Sequence, residues 1–155
     1  MKNFLVIILS FLGAIMLTIS TFPLGVFSPD WIQLFLIYWL IAAPFSVGIL
    51  SSWLIGLLVD VVMGSTLGAN ALAYIVVSYL VTKIYKTLRN FTVIQQGIVI
   101  FLILILKFTI ILWIDKLLNI QSYDLSIYWI SLISGIIWPF IFFGLRIIRR
   151  RYNVS

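Results

Sequence analysis

The sequence predicts an all-α integral membrane protein, a bundle of six transmembrane helices whose second member is short or kinked. Three observations predict it. Of 155 residues, 64% are hydrophobic and 9% charged, with a mean hydropathy of +1.25; a soluble domain of this size has too little interior to hide so much apolar surface. The apolar residues fall in long runs separated by short breaks rich in Pro, Gly and polar residues. The basic residues gather beside alternate breaks, the pattern of membrane topology rather than of a nucleic-acid groove, although the net charge is +6. One domain, 1–155, fits the length. With no Cys and no His, thiol chemistry, disulfides, imidazole catalysis and the usual zinc, copper or haem ligands are absent, so neither a metal site nor a cofactor is expected.

Taken in order, the first span covers 4–20. The stretch after it lacks a small-residue cleavage pattern, which argues for a permanent span over a signal peptide. Pro23, Gly25, Ser28 and Pro29 form a loop. From Trp31 to Gly64 the chain is apolar for about 33 residues, roughly 50 Å as one helix against a hydrocarbon core of about 30 Å. Pro44 and Gly48 divide it into spans 31–43 and 45–63, the first short enough to be re-entrant or kinked at Pro44. Gly64-Ser65-Thr66-Leu67-Gly68 reads as a tight turn, with Asn70 as the N-cap of a fourth span, 71–86. The fifth span covers 92–114 and contains Lys107. A polar loop with Asp115, Lys116, Asn119, Gln121 and Asp124 leads to the sixth, 126–145, with a kink at Trp138-Pro139.

Charge asymmetry tests the count. Six spans with an inner N-terminus place Lys2, Lys83, Lys86, Arg89, Arg146, Arg149, Arg150 and Arg151 on the cytoplasmic side, eight of ten basic residues. Five spans would set Lys2 against the others. Trp31, Trp113, Tyr123, Tyr128 and Trp129 then fall at the outer boundary as an aromatic belt.

The most informative stretch is Pro44–Asn70. Gly48, Ser52, Gly56, Asp60 and Gly64 recur every four residues, so one helix ridge reads small, small, small, acid, small. Small residues let a neighbouring helix approach closely, and a carboxylate at a helix centre costs about 2.5–3.5 kcal/mol on insertion scales, so Asp60 is expected to face protein or water. Lys107 is the second charge placed within hydrocarbon, at a similar depth. Two readings stay open: Asp60 pairs with Lys107, or Lys107 snorkels outward alone. Gln95-Gln96 either bond across helices or lie at the surface. The four terminal arginines anchor topology, or bind anionic lipid or an acidic partner. No nucleophile has a base beside it, which argues against an enzyme. A transporter needs a polar midplane path, often in paired repeats, and none is visible.

Ser28-Pro29-Asp30-Trp31, Ile37-Tyr38-Trp39-Leu40, Pro44, and the run from Gly56 through Asp60 into Gly64-Ser65-Thr66-Leu67-Gly68 together resemble the rod shape-determining MreD family. The resemblance continues through Arg89-Asn90, Gln95-Gln96 and Gly135-Ile136-Ile137-Trp138-Pro139. It implies a multi-pass protein of the bacterial inner membrane with both termini cytoplasmic. The implied role is that of a non-enzymatic scaffold of the cell-elongation complex, helping to direct lateral peptidoglycan synthesis. The implied partners are the bitopic protein MreC, the glycosyltransferase RodA, a penicillin-binding transpeptidase and, indirectly, the actin-like MreB. A lysine in the fifth span is not part of the family pattern. The architecture is also similar to the substrate-binding S-components of vitamin uptake transporters, which implies an alternative: a membrane protein that binds a small molecule or a lipid-linked wall precursor. The expected docking place for MreC's transmembrane helix is the small-residue ridge at Ser52 and Gly56. The residues that matter are then Asp60, Lys107, Ser52, Gly56, Gly64 and Gly68, the prolines 44 and 139, and the cytoplasmic basic residues.

Overall fold

A computed structural model describes residues 2–20, 25–44, 46–118 and 126–152. They form six α-helices: α1 (Lys2–Ile19), α2 (Trp31–Ala42), α3 (Ile49–Met63), α4 (Ala69–Asn90), α5 (Val93–Leu117) and α6 (Ile127–Arg151), with a 3-10 turn, Gly25–Phe27, ahead of α2. No strand occurs among the described residues. Helices α4, α5 and α6 are long and apolar enough to cross a membrane. The apolar part of α1 (Phe4–Ile19), α2 and α3 are shorter, so six helices are present and spanning length is found in three.

The shortest helix is the centre. At about 1.5 Å per residue α2 is only about 18 Å long, yet ten of its twelve residues are buried, as expected of a helix apolar on every side. It packs against α1, α4 and α6. The Trp39 indole N–H donates to Ser10 Oγ at 2.8 Å, which fixes α1 against it without leaving a buried donor unpaired. Trp138 from α6 and Tyr74 from α4 fill the same interior. The outward faces of the other helices carry Phe4, Met16, Leu50, Val61, Leu102 and Phe140 in the open. Such a surface is a liability in water and at no disadvantage among acyl chains.

Several boundaries differ from expectation, each for a local reason. Helix α3 starts at Ile49 instead of 45: the Val47 N–H bonds back to the Ala43 carbonyl, and Ser51 Oγ accepts from the Gly48 N–H, so the chain turns once more after Pro44. Helix α5 runs on to Leu117, which moves Asp115 and Lys116 out of the expected loop; Asn119, Gln121, Tyr123 and Asp124 lie outside the described residues. Helix α6 stays helical through Pro139. The missing proline N–H leaves the Gly135 carbonyl without its usual i+4 donor, and this is where α5 and α6 meet most closely. A Cβ on Gly97 would stand 2.8 Å from the Gly135 oxygen, and one on Gly135 would stand 3.1 Å from the Gly97 oxygen.

Candidate functional site

The turn between α3 and α4 is built around one carboxylate. Gly64 and Gly68 adopt φ of +62° and +97°, a region that favours glycine, so the chain reverses within five residues and returns over Asp60. The acid is 1% exposed and accepts five hydrogen bonds. Ser65 Oγ donates at 2.8 Å and Asn70 Nδ2 at 3.0 Å. The backbone N–H groups of Gly68, Asn70 and Ala71 donate at 2.8, 3.1 and 3.4 Å. Those amides are the open donors at the start of α4, so a carboxylate from the preceding helix caps α4 and meets the positive end of its dipole. Asn70 is therefore not the N-cap; it lies in the first turn of α4 and donates to the acid that caps it.

The ridge leading to Asp60 faces α4 as well. Ser52 and Gly56 are buried. A Cβ on Gly56 would stand 2.5 Å from Ala71 Cα and 2.9 Å from its nitrogen, so backbone rests on backbone. This seam is filled by the chain itself, which corrects the expectation that a partner helix docks at Ser52 and Gly56.

Lys107 is paired, but with a different acid. Its ammonium group forms an ion pair with Asp30 and lies 4.8 Å from the centre of the Tyr74 ring and 4.9 Å from that of Phe108. Asp60 is already saturated by its own turn. Asp30 is also the N-cap of α2, accepting from the Gln33 N–H at 3.2 Å, and its own N–H donates to Ser134 Oγ of α6 at 3.1 Å. One residue thus ties α2 to α5 and α6. Thr66 Oγ1 donates to the buried Asp115 at 3.0 Å, holding the α3–α4 turn against α5. The acids 30, 60 and 115 therefore share one end of the bundle. Beside Asp30 lies a cavity of about 330 Å³ lined by Asp30, Lys107, Ser65 and Asn70 among apolar residues such as Val59 and Phe108.

At the opposite end are the basic residues singled out above. Arg89 closes α4 and Arg149, Arg150 and Arg151 close α6; Lys83 lies over the Tyr79 ring at 5.5 Å. Gln96 is buried and bonds across helices: its Nε2 donates to the Leu88 carbonyl at 2.9 Å, and its Oε1 accepts from the Trp138 indole at 3.1 Å. Gln95 instead closes a capping box with Thr92 at the start of α5.

A family model described as rod shape-determining protein MreD matches residues 1–148. The chain belongs to the MreD family. A rod shape-determining protein MreD of Haemophilus influenzae is 32% identical over 146 residues, covering 93% of this chain and 90% of that protein. No solved structure matches. Membership of MreD supports a role in rod shape determination. Asp30, Ser134 and the Gly97–Gly135 crossing are the positions in this MreD chain whose part sequence reasoning missed. For Asp30 a signal existed, an acid directly before an apolar run, which is an N-cap pattern.

Proposed function

We propose that this MreD-family protein is a non-enzymatic scaffold of the bacterial cell-elongation complex. It sits in the inner membrane with both termini cytoplasmic, binds the transmembrane helix of MreC, and helps place RodA and a penicillin-binding transpeptidase for lateral peptidoglycan synthesis. The observation that carries the reading is the match to rod shape-determining proteins along nearly the whole chain. The chemistry of the interior supports it. Asp60 is consumed in capping α4, and Asp30 and Lys107 in joining three helices, so the buried charges maintain the block instead of being held ready for a reaction. MreC docks on an outward helix face, since α4 covers the Ser52–Gly56 seam. Depletion of the protein should convert rods to spheres, and a tagged copy should bring MreC down with it. Normal rods after depletion would remove the reading.

A second reading has one observation in its favour. The cavity beside Asp30 and Lys107 is also lined by the polar side chains of Thr18, Ser28, Ser65 and Asn70, which suits a small polar ligand. A small molecule or isoprenoid lipid that survives gentle purification and is lost on Lys107→Met would favour it over the scaffold.

A further inference from the structure

Two hollows at the acidic end of the bundle share a wall. The first is the cavity of about 330 Å³ beside Asp30 and Lys107, to which every helix contributes: Thr18 from α1, Ile32 from α2, Val59 from α3, Asn70 from α4, Lys107 from α5 and Ile130 from α6. The second is a crevice of about 50 Å³ between α1 and α3, with Phe11 and Ile15 on one side and Ile55, Leu58 and Val62 on the other. Ile32 and Val59 line both. Positions 11, 15 and 18 recur at i, i+4 and i+7 along α1, and 55, 58 and 62 at i, i+3 and i+7 along α3, so each helix turns one face to the gap. Yet α1 packs mainly on α2, and α3 on α4, so the two faces flank the gap without closing it. Leu58 and Val62 are exposed on the outward surface. Seven residues of helix rise about 10 Å, about two-thirds of one leaflet of a hydrocarbon core of about 30 Å. The crevice therefore runs from the middle of the bundle to the polar cavity. An α-helix, about 10–12 Å across with its side chains, is too thick for it. A hydrocarbon chain fits, trading contacts with neighbouring acyl chains for contacts with the two helix faces. The attraction comes from the cavity: an ammonium group has three donors, Lys107 gives one to Asp30, and hydrogen bonds to a charged group are strong where water is scarce.

We infer that the two hollows form one site for a membrane phospholipid, its head group in the cavity at Asp30 and Lys107 and one of its chains along the crevice. The inference rests on the second reading above, that the cavity is a ligand site, and names the class of ligand and its route, sideways between α1 and α3. The depths agree. A head at the end of the bundle with a chain reaching toward its middle is how a lipid of that leaflet already stands, so it enters without turning over.

The test is native mass spectrometry of the purified full-length protein in a neutral detergent. Phosphatidylethanolamine, phosphatidylglycerol and the chainless glycerophosphoethanolamine are titrated in separate arms. The expected result is saturable binding of one or both phospholipids, with no binding of the chainless compound at the same concentration. Val62→Trp sets an indole into the crevice and should weaken lipid binding roughly tenfold or more. Val61→Trp, at an exposed position outside the crevice, should bind as the parent does. Lys107→Met should weaken lipid binding as well; should that variant misfold, D30N/K107M, which removes both charges, is read in its place. Lipid binding that Val62→Trp leaves intact, or that Val61→Trp weakens equally, would overturn the inference, leaving lipid held only at the outer surface. Binding of the chainless compound, unaffected by Val62→Trp, would keep the ligand site and overturn the lipid. Binding of none of the three would remove the ligand site and the inference together.

Discussion

At Asp60 a single carboxylate gathers five donors, three of them the backbone amides that open α4. Asp60→Asn keeps the shape but turns one oxygen into a donor facing other donors. Hydrogen bonds to a charged group contribute about 1.5–3 kcal/mol, so the variant should lose about that much stability in a detergent unfolding titration. Lys107→Met should cost more, roughly 3–5 kcal/mol, because it strands Asp30, whose side chain is 13% exposed. Adding Asp30→Asn should recover part of that loss. The two networks share no hydrogen-bond partner, so Asp60→Asn and Lys107→Met should add to within about 0.5 kcal/mol. Strong coupling between them would mean that the acids had exchanged partners. The sequence left an Asp60–Lys107 pair open beside a lysine that snorkels alone, since both charges lie in apolar runs at similar depth. It already marked 31–43 as short, about 18 Å for the twelve residues of α2 against a hydrocarbon core of about 30 Å, but it did not show that the acid in front of that helix meets the lysine. The loop acid in front of α2 is the one that pairs with the lysine.

Among the elements, two glycine positions bring helix backbones into close approach. At the α3–α4 seam a methyl on Gly56 would collide with the backbone of Ala71, and at the α5–α6 crossing a methyl on Gly97 would collide with the Gly135 carbonyl. Neither neighbour is a side chain that can rotate away. Gly56→Ala and Gly97→Ala should each cost about 1–3 kcal/mol as the helices are forced apart. Gly13 makes the contrast: it sits mid-helix in α1 with nothing within 4 Å of its added Cβ, so Gly13→Ala should stabilise by about 0.5–1 kcal/mol. Thermal melting of the three variants in one detergent checks both signs. The four-residue spacing of small residues made the first seam legible in the sequence, and the Gly64–Gly68 turn with it. The second was hidden, because one glycine on each of two distant helices has no spacing to read. The central place of α2 was hidden too: a run of twelve residues, apolar but for Gln33, looks much the same in a core as against lipid.

For the molecule as a whole, charge runs from one end to the other. The acids 30, 60 and 115 and Lys107 are drawn into one end, while Arg89 and the arginines of α6 occupy the other. Basic residues beside short loops are retained on the cytoplasmic side, so the arginine end should face the cytoplasm and the α3–α4 turn the outside. The absence of native cysteine makes this directly measurable with a membrane-impermeant maleimide on spheroplasts. Leu117 is 82% exposed at the end of α5, on the acidic side, and Leu117→Cys should be labelled in intact spheroplasts. Arg150→Cys and Lys86→Cys should react only after lysis. All three substitutions lie at exposed positions outside the two polar networks, so each variant should fold and its labelling should report side alone. The reverse pattern would invert the bundle and place the arginine end outside. A mixed pattern, with Lys86→Cys and Arg150→Cys on opposite sides, would contradict the fold, in which Arg89 at the end of α4 and Arg146 and Arg149 of α6 line one hollow.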